Sequence, residues 1–256
     1  MDMTRDTAPS RPGASGLAAG WGRLVHSGAL LFAAALSPST YTPPVRRAVA
    51  IRICLAGSQM IPWFTLLAAL FSLVLVHIVV VTAQSYGLSH LALGMVVRVL
   101  VVELLPLSAA LYVALRAGSI EPTGSVRPTS ESPVERINTA RLAVLPRVVA
   151  SALTVVALIA LGGALALLLS YFGVYGFTPW GLSAFTRTVG QVFDPVVTLS
   201  LALKTLLFAV AVATVPAVAA LYSERDTGDP ASPVGTVRLF IVLIAIEILA
   251  LTAEFY

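Results

Sequence analysis

Residues 88–115 read LSHLALGMVVRVLVVELLPLSAALYVAL, an apolar run that carries Arg98 and Glu103 inside it. The run ends at Arg116-Ala117-Gly118 and gives way to a polar, proline-bearing segment, SIEPTGSVRPTSESPVERINTA (119–140). Apolar sequence resumes at Leu145-Pro146-Arg147. As a helix, about 20 apolar residues cross the ~30 Å of hydrocarbon in a bilayer. A carboxylate inside such a run is costly, and at that depth it marks a functional site by default.

The composition of the whole chain agrees with a lipid environment. Of 256 residues, 58% are hydrophobic and 11% charged, with a mean hydropathy of +0.93. Soluble domains carry about 25% charged residues, and so few charges do not cover this much apolar surface in water. The formal charge of +4 does not point to nucleic acid, because the cations are not clustered with interleaved aromatics. The single Cys54 excludes an intrachain disulfide and argues against a metal site; a small apolar role suits it.

Taken in order, residues 1–16 are rich in Pro, Ser, Gly and Thr and read as a disordered tail. In the next stretch Leu17, Trp21, Leu24, Val25, Leu31 and Phe32 fall on one helical face, with Arg23, His26 and Ser27 off it. Its uncharged part is too short to span, so residues 17–45 are expected to form an interfacial amphipathic helix and a linker. AAALS resembles a signal-peptide cleavage site, but the long preceding region with Asp2 and Asp6 argues against that reading.

Five apolar runs follow, near 60–83, 91–115, 148–169, 196–221 and 237–253. They lack the two-residue alternation of barrel strands and are about twice as long. The expected fold is therefore all-α, with five transmembrane helices. Arg46, Arg47 and Arg52 precede the first run. Arg116, Arg127, Arg136, Arg141 and Arg147 lie between the second and third, and Arg225 and Arg238 between the fourth and fifth. The opposite connections carry only Arg187. Cations concentrate on the cytoplasmic side, so the N-terminus is expected inside and the C-terminus outside. Tyr171, Phe172, Tyr175, Phe177, Trp180 and Phe185 would form an interfacial belt on the outer side, with a short surface helix over 182–193.

Four charges sit inside these runs: Arg98, Glu103, Lys204 and Glu247. At 1.5 Å per residue they lie ~10, ~18, ~12 and ~9 Å from the outer ends of their helices. Each alone costs ~2.5–3.5 kcal/mol of insertion, whereas a mutually satisfied cluster is cheaper. They are expected to meet between the second, fourth and fifth helices, as a polar site or as pins that hold the helices in register. His77 reads as a hydrogen-bonded packing residue, with a proton relay as the alternative. Gly162-Gly163 permits close helix approach. No GxxxxGK[ST], HExxH or CxxC occurs, so no cofactor, metal or nucleotide site is expected in the chain itself.

Several short motifs, in order, resemble the MlaE/YrbE permease family. Glu103-Leu104-Leu105-Pro106 is similar to the family's RELGP, and Arg116-Ala117-Gly118 to its GRxG. Pro146-Arg147-Val148-Val149-Ala150 is similar to its PRxxA opening of the next span. Gly162-Gly163 and Asp194 fall where the family has paired glycines and an Asp. Lys204-Thr205-Leu206-Leu207-Phe208 resembles KSxxF, and Glu247 and Thr252 echo a terminal DxxLT. Val102 stands where the family has Arg, Leu105 where it has Gly, and the segment after Gly118 is shorter.

The resemblance implies a permease domain over 46–256 that hydrolyses no ATP itself. It implies a permease dimer in a bacterial inner membrane, with cytoplasmic ABC ATPases beneath and a periplasmic MCE-domain protein above, moving phospholipid or another hydrophobic molecule. Arg98, Glu103, Pro106, Lys204 and Glu247 would then line or support the lipid cavity. Arg116, Gly118, Val134, Glu135, Arg136, Ile137, Pro146 and Arg147 would belong to the ATPase-coupling region. A non-transporting scaffold, a degenerate partner in a heterodimer, or a small-solute secondary transporter using Glu103 as proton carrier are the alternatives.

Overall fold

The computed structural model describes residues 43–87, 89–119, 133–226 and 234–255. The expected tail and interfacial helix lie outside these residues, as does the middle of the coupling segment. Among the described residues the chain is helical and contains no strand. The helices are α1 (Pro43–Ser85), α2 (Ser89–Val97), a π-helical segment (Arg98–Leu104), α3 (Leu105–Ser119), α4 (Pro133–Tyr175), α5 (Leu182–Val192), α6 (Pro195–Asp226) and α7 (Val234–Phe255). A short 3-10 turn, Pro179–Gly181, precedes α5.

Helix ends follow local chemistry. Pro43, Pro133 and Pro195 open their helices, where a missing N–H costs nothing and the fixed φ suits the first turn. Gly87 and Gly176 end α1 and α4 with φ of 71° and 66°, a left-handed turn that other residues adopt only with strain. The Gly176 N–H donates to the Phe172 carbonyl at 3.0 Å, closing the last turn of α4.

Among the described residues five helices are long and apolar enough to cross a membrane, over Val49–Ser85, Ala92–Arg116, Pro146–Tyr175, Pro195–Ala217 and Thr236–Ala253. They coincide with the five expected runs. Three details differ. Helix α1 has 43 residues, ~65 Å at 1.5 Å per residue, because no breaker separates Pro44 from the apolar run. It carries the exposed Arg46 and Arg47 on its first turns. The coupling residues Val134–Ile137 and the third span lie on one continuous helix, α4, with Pro146 inside it. The second run is divided by the π segment into α2 and α3.

That second run is the centre of the bundle. In its most apolar stretch 56% of residues are buried, against 11% for the fifth span. Its N-terminal part, α2, packs on α1, α4 and α5, whereas its C-terminal part, α3, packs mainly on α4, α6 and α7. Helices α1 and α4 run together over the longest interface. Gly162 lets α4 approach so closely that a Cβ there would stand 3.2 Å from both Leu105 Cδ2 and Phe64 Cε1. The close helix approach expected at Gly162-Gly163 is realised there. Trp63, Leu66, Leu70, Leu73 and Ile78 leave one face of α1 apolar and exposed, as a lipid-facing surface is.

Candidate functional site

The face of α6 that enters the bundle carries Lys204, Phe208, Ala211, Val212 and Val215. Their spacing places them on one stripe. Lys204 is therefore aimed into the core by the same periodicity that buries Phe208, and it is 2% exposed. On α7 the inward stripe is Leu239, Leu243 and Glu247, spaced four residues apart. Glu103 comes from the end of the π segment, beside the buried Val101 and Val102.

These three stripes converge. The Lys204 ammonium donates to Glu103 Oε2 at 2.5 Å and to Glu247 Oε1 at 2.9 Å. One cation thus holds two carboxylates on two other spans. Charge-assisted hydrogen bonds of this length are roughly twice as strong as neutral ones. The carboxylate side chains keep 17% and 15% of their surface, against 1% for the lysine, so the lysine is the most enclosed of the three. Glu247 Oε2 is buried and accepts no hydrogen bond among the described residues.

The structure therefore joins three of the four intramembrane charges. Arg98 is exposed, whereas Lys204 is enclosed between Glu103 and Glu247. Pro106 is buried at the start of α3, three residues past Glu103. His77, expected as a packing residue, lies exposed on α1 instead; it shares the lipid-facing side with Leu73, Val74 and Ile78. Among the described residues no group of three or more His, Cys, Asp or Glu is placed to hold a metal.

The coupling residues fall on two helices. Arg116 is exposed near the end of α3, and Gly118 belongs to its last turn. Val134, Glu135, Arg136 and Ile137 form the first turns of α4, with Pro146 buried and Arg147 half-buried further along it. On the opposite side of the bundle, Leu182–Val192 forms α5 as expected. Its Phe185 stacks edge-on against Tyr171, with ring centroids 5.2 Å apart. Trp180 and Phe177 project there at 91% and 89% exposure, as interfacial anchors do.

One structural element escaped the sequence reading: the π segment that carries Glu103. Its signal was Pro106, whose ring crowds the carbonyl four residues earlier.

The family model for the permease MlaE matches residues 49–253. No curated protein and no solved structure matches the chain. The matched region takes in all five helices able to cross a membrane and the whole Glu103–Lys204–Glu247 cluster. By that match over most of its length, this multi-pass membrane protein belongs to the MlaE permease family.

Proposed function

We propose that the chain is the membrane subunit of an ABC-type transporter that moves phospholipid or another hydrophobic molecule between the inner membrane and the periplasm. The observation that carries this reading is the cluster of Glu103, Lys204 and Glu247 within a permease-family bundle. Placing three charges at membrane depth costs ~2.5–3.5 kcal/mol each when they stand alone. Mutual hydrogen bonding offsets much of that. Purely structural pinning would leave no acceptor unused, whereas Glu247 Oε2 accepts no hydrogen bond among the described residues, and a donor on a lipid headgroup could satisfy it.

No covalent chemistry takes place in this chain. A cytoplasmic ATPase partner supplies the energy by closing on ATP and pressing on the inner ends of α3 and α4, around Arg116, Gly118 and Val134–Ile137. The spans then shift, and a cavity near the second and fifth spans changes shape. A second permease copy completes that cavity, and an MCE-domain protein on the periplasmic side receives or delivers the lipid. The placement of arginines supports a cytoplasmic N-terminus and a periplasmic C-terminus.

The test is to purify the chain with its partners and delete Val134–Ala140. A coupled permease keeps its helices but loses stimulation of the partner's ATPase activity by lipid and releases no lipid on ATP binding. An ATPase indifferent to the deletion would instead identify a scaffold. Uptake of a small solute by the purified chain alone, driven by a proton gradient, would identify a secondary transporter.

A further inference from the structure

The second span is not one helix but two, joined by seven residues of π-helix, Arg98–Leu104. The Leu105 N–H donates to the Leu100 carbonyl, five residues back rather than four. A π turn holds one more residue than an α turn, and such segments occur mostly at functional sites. The cause is local. Pro106 has no N–H to give, and its ring would collide with the Val102 carbonyl in a regular α-helix. Widening the turn just before it removes the collision and fixes the extra residue next to Glu103.

The two halves are also gripped by different neighbours. Outside the π segment, α2 is held by α1, α4 and α5; inside it, α3 is held mainly by α4, α6 and α7. Glu103 sits at the boundary, within hydrogen-bonding distance of Lys204 on α6. A one-residue change of register turns a helix by ~100° about its axis. That rotation is enough to carry a side chain from one neighbouring helix to the next. It leaves the outer half where α1 and α5 hold it.

We propose that the π segment is a register joint: it converts a displacement of the Arg116 end of α3 into rotation of Glu103 away from Lys204. The ion cluster then opens and closes with each transport cycle. This rests on the permease reading above, since it needs a push on the inner end of α3. It adds that the energy of nucleotide binding reaches the membrane cluster through one turn of the second span.

Deleting Val99 tests it. Val99 is 47% exposed and lies outside the core, and its loss removes the extra residue while both flanking helices keep their faces. The expected complex assembles, retains lipid and binds nucleotide, but releases lipid at least about tenfold more slowly, the size of a typical coupling between sites. Release at the wild-type rate would overturn the joint.

A second measurement avoids any folding failure of the deletion. In a Cys54→Ser background, spin labels are placed at Leu115→Cys on α3 and at Met95→Cys on α2, both exposed positions. On trapping the ATP-bound complex, lipid-soluble oxygen should reach the Leu115 label differently and the Met95 label as before. If lipid is released while neither label changes, the joint is refuted and the permease reading stands. If nucleotide releases no lipid from the wild-type complex, the permease reading itself fails.

Discussion

Replacing Lys204 with Met removes the cation that Glu103 and Glu247 share at 2.5 and 2.9 Å. Met fills nearly the same volume, so packing around Phe208 survives and the change is electrostatic. Two carboxylates are then left at membrane depth without their common donor. Breaking a single buried ion pair from one side costs ~3–5 kcal/mol. Two stranded carboxylates would double that, but their side chains retain 17% and 15% of their surface, and this partial access lowers the penalty. We expect a loss of ~3–5 kcal/mol in total. The triple variant Glu103→Gln, Lys204→Met, Glu247→Gln strands no charge. Because neutral replacement of a buried ion network is often tolerated, it should return to within ~2 kcal/mol of the wild type. Unfolding titrations of the protein in bicelles, with far-ultraviolet circular dichroism as the signal, measure both differences. A Lys204→Met protein within ~1 kcal/mol of wild type, or a triple variant no better than the single one, would refute the account of the cluster.

Three further changes probe the rest of the bundle. Gly162→Val puts its branches against Leu105 and Phe64, where even a Cβ would stand at 3.2 Å; the same titration should show a loss of ~1–3 kcal/mol, typical of overpacking. His77→Leu changes an exposed residue on the lipid-facing side of α1, so the purified protein should keep its stability within ~0.5 kcal/mol and its transport unchanged. Trp180→Ala removes an exposed aromatic just before α5. The fold should persist, while the emission of the tryptophan at that site, which should shift when interfacial quenchers are added to the wild type, disappears.

Much of the fold was legible because membrane helices are written as long apolar runs, and five such runs lay between breakers. The ion cluster was legible for a related reason. Counting residues from the outer ends placed Lys204 and Glu247 at similar depth and Glu103 ~6 Å deeper than Lys204, a gap that a lysine side chain spans. Depth carries no azimuth, however. Arg98 shares that depth but stands exposed, and His77 faces outward rather than into a helix contact. In a run as uniformly apolar as 88–115, hydrophobic periodicity has no phase to read, so the change from α to π geometry left only Pro106 as a trace. Pro146 does open the third membrane-crossing stretch, Pro146–Tyr175, but not the helix: α4 runs through it from Pro133, which helices tolerate when neighbours re-satisfy the freed backbone.

The central claim is that this chain moves lipid under the control of a partner's ATP cycle, with Glu103, Lys204 and Glu247 at the working centre. The most direct measurement reconstitutes the chain with its ATPase and periplasmic partners in donor vesicles and follows transfer of a fluorescent phospholipid. The wild type should transfer lipid only when ATP can be bound and hydrolysed, and the stable triple variant should assemble yet transfer little. Lipid transfer that ignores ATP, or a triple variant as active as the wild type, would contradict it.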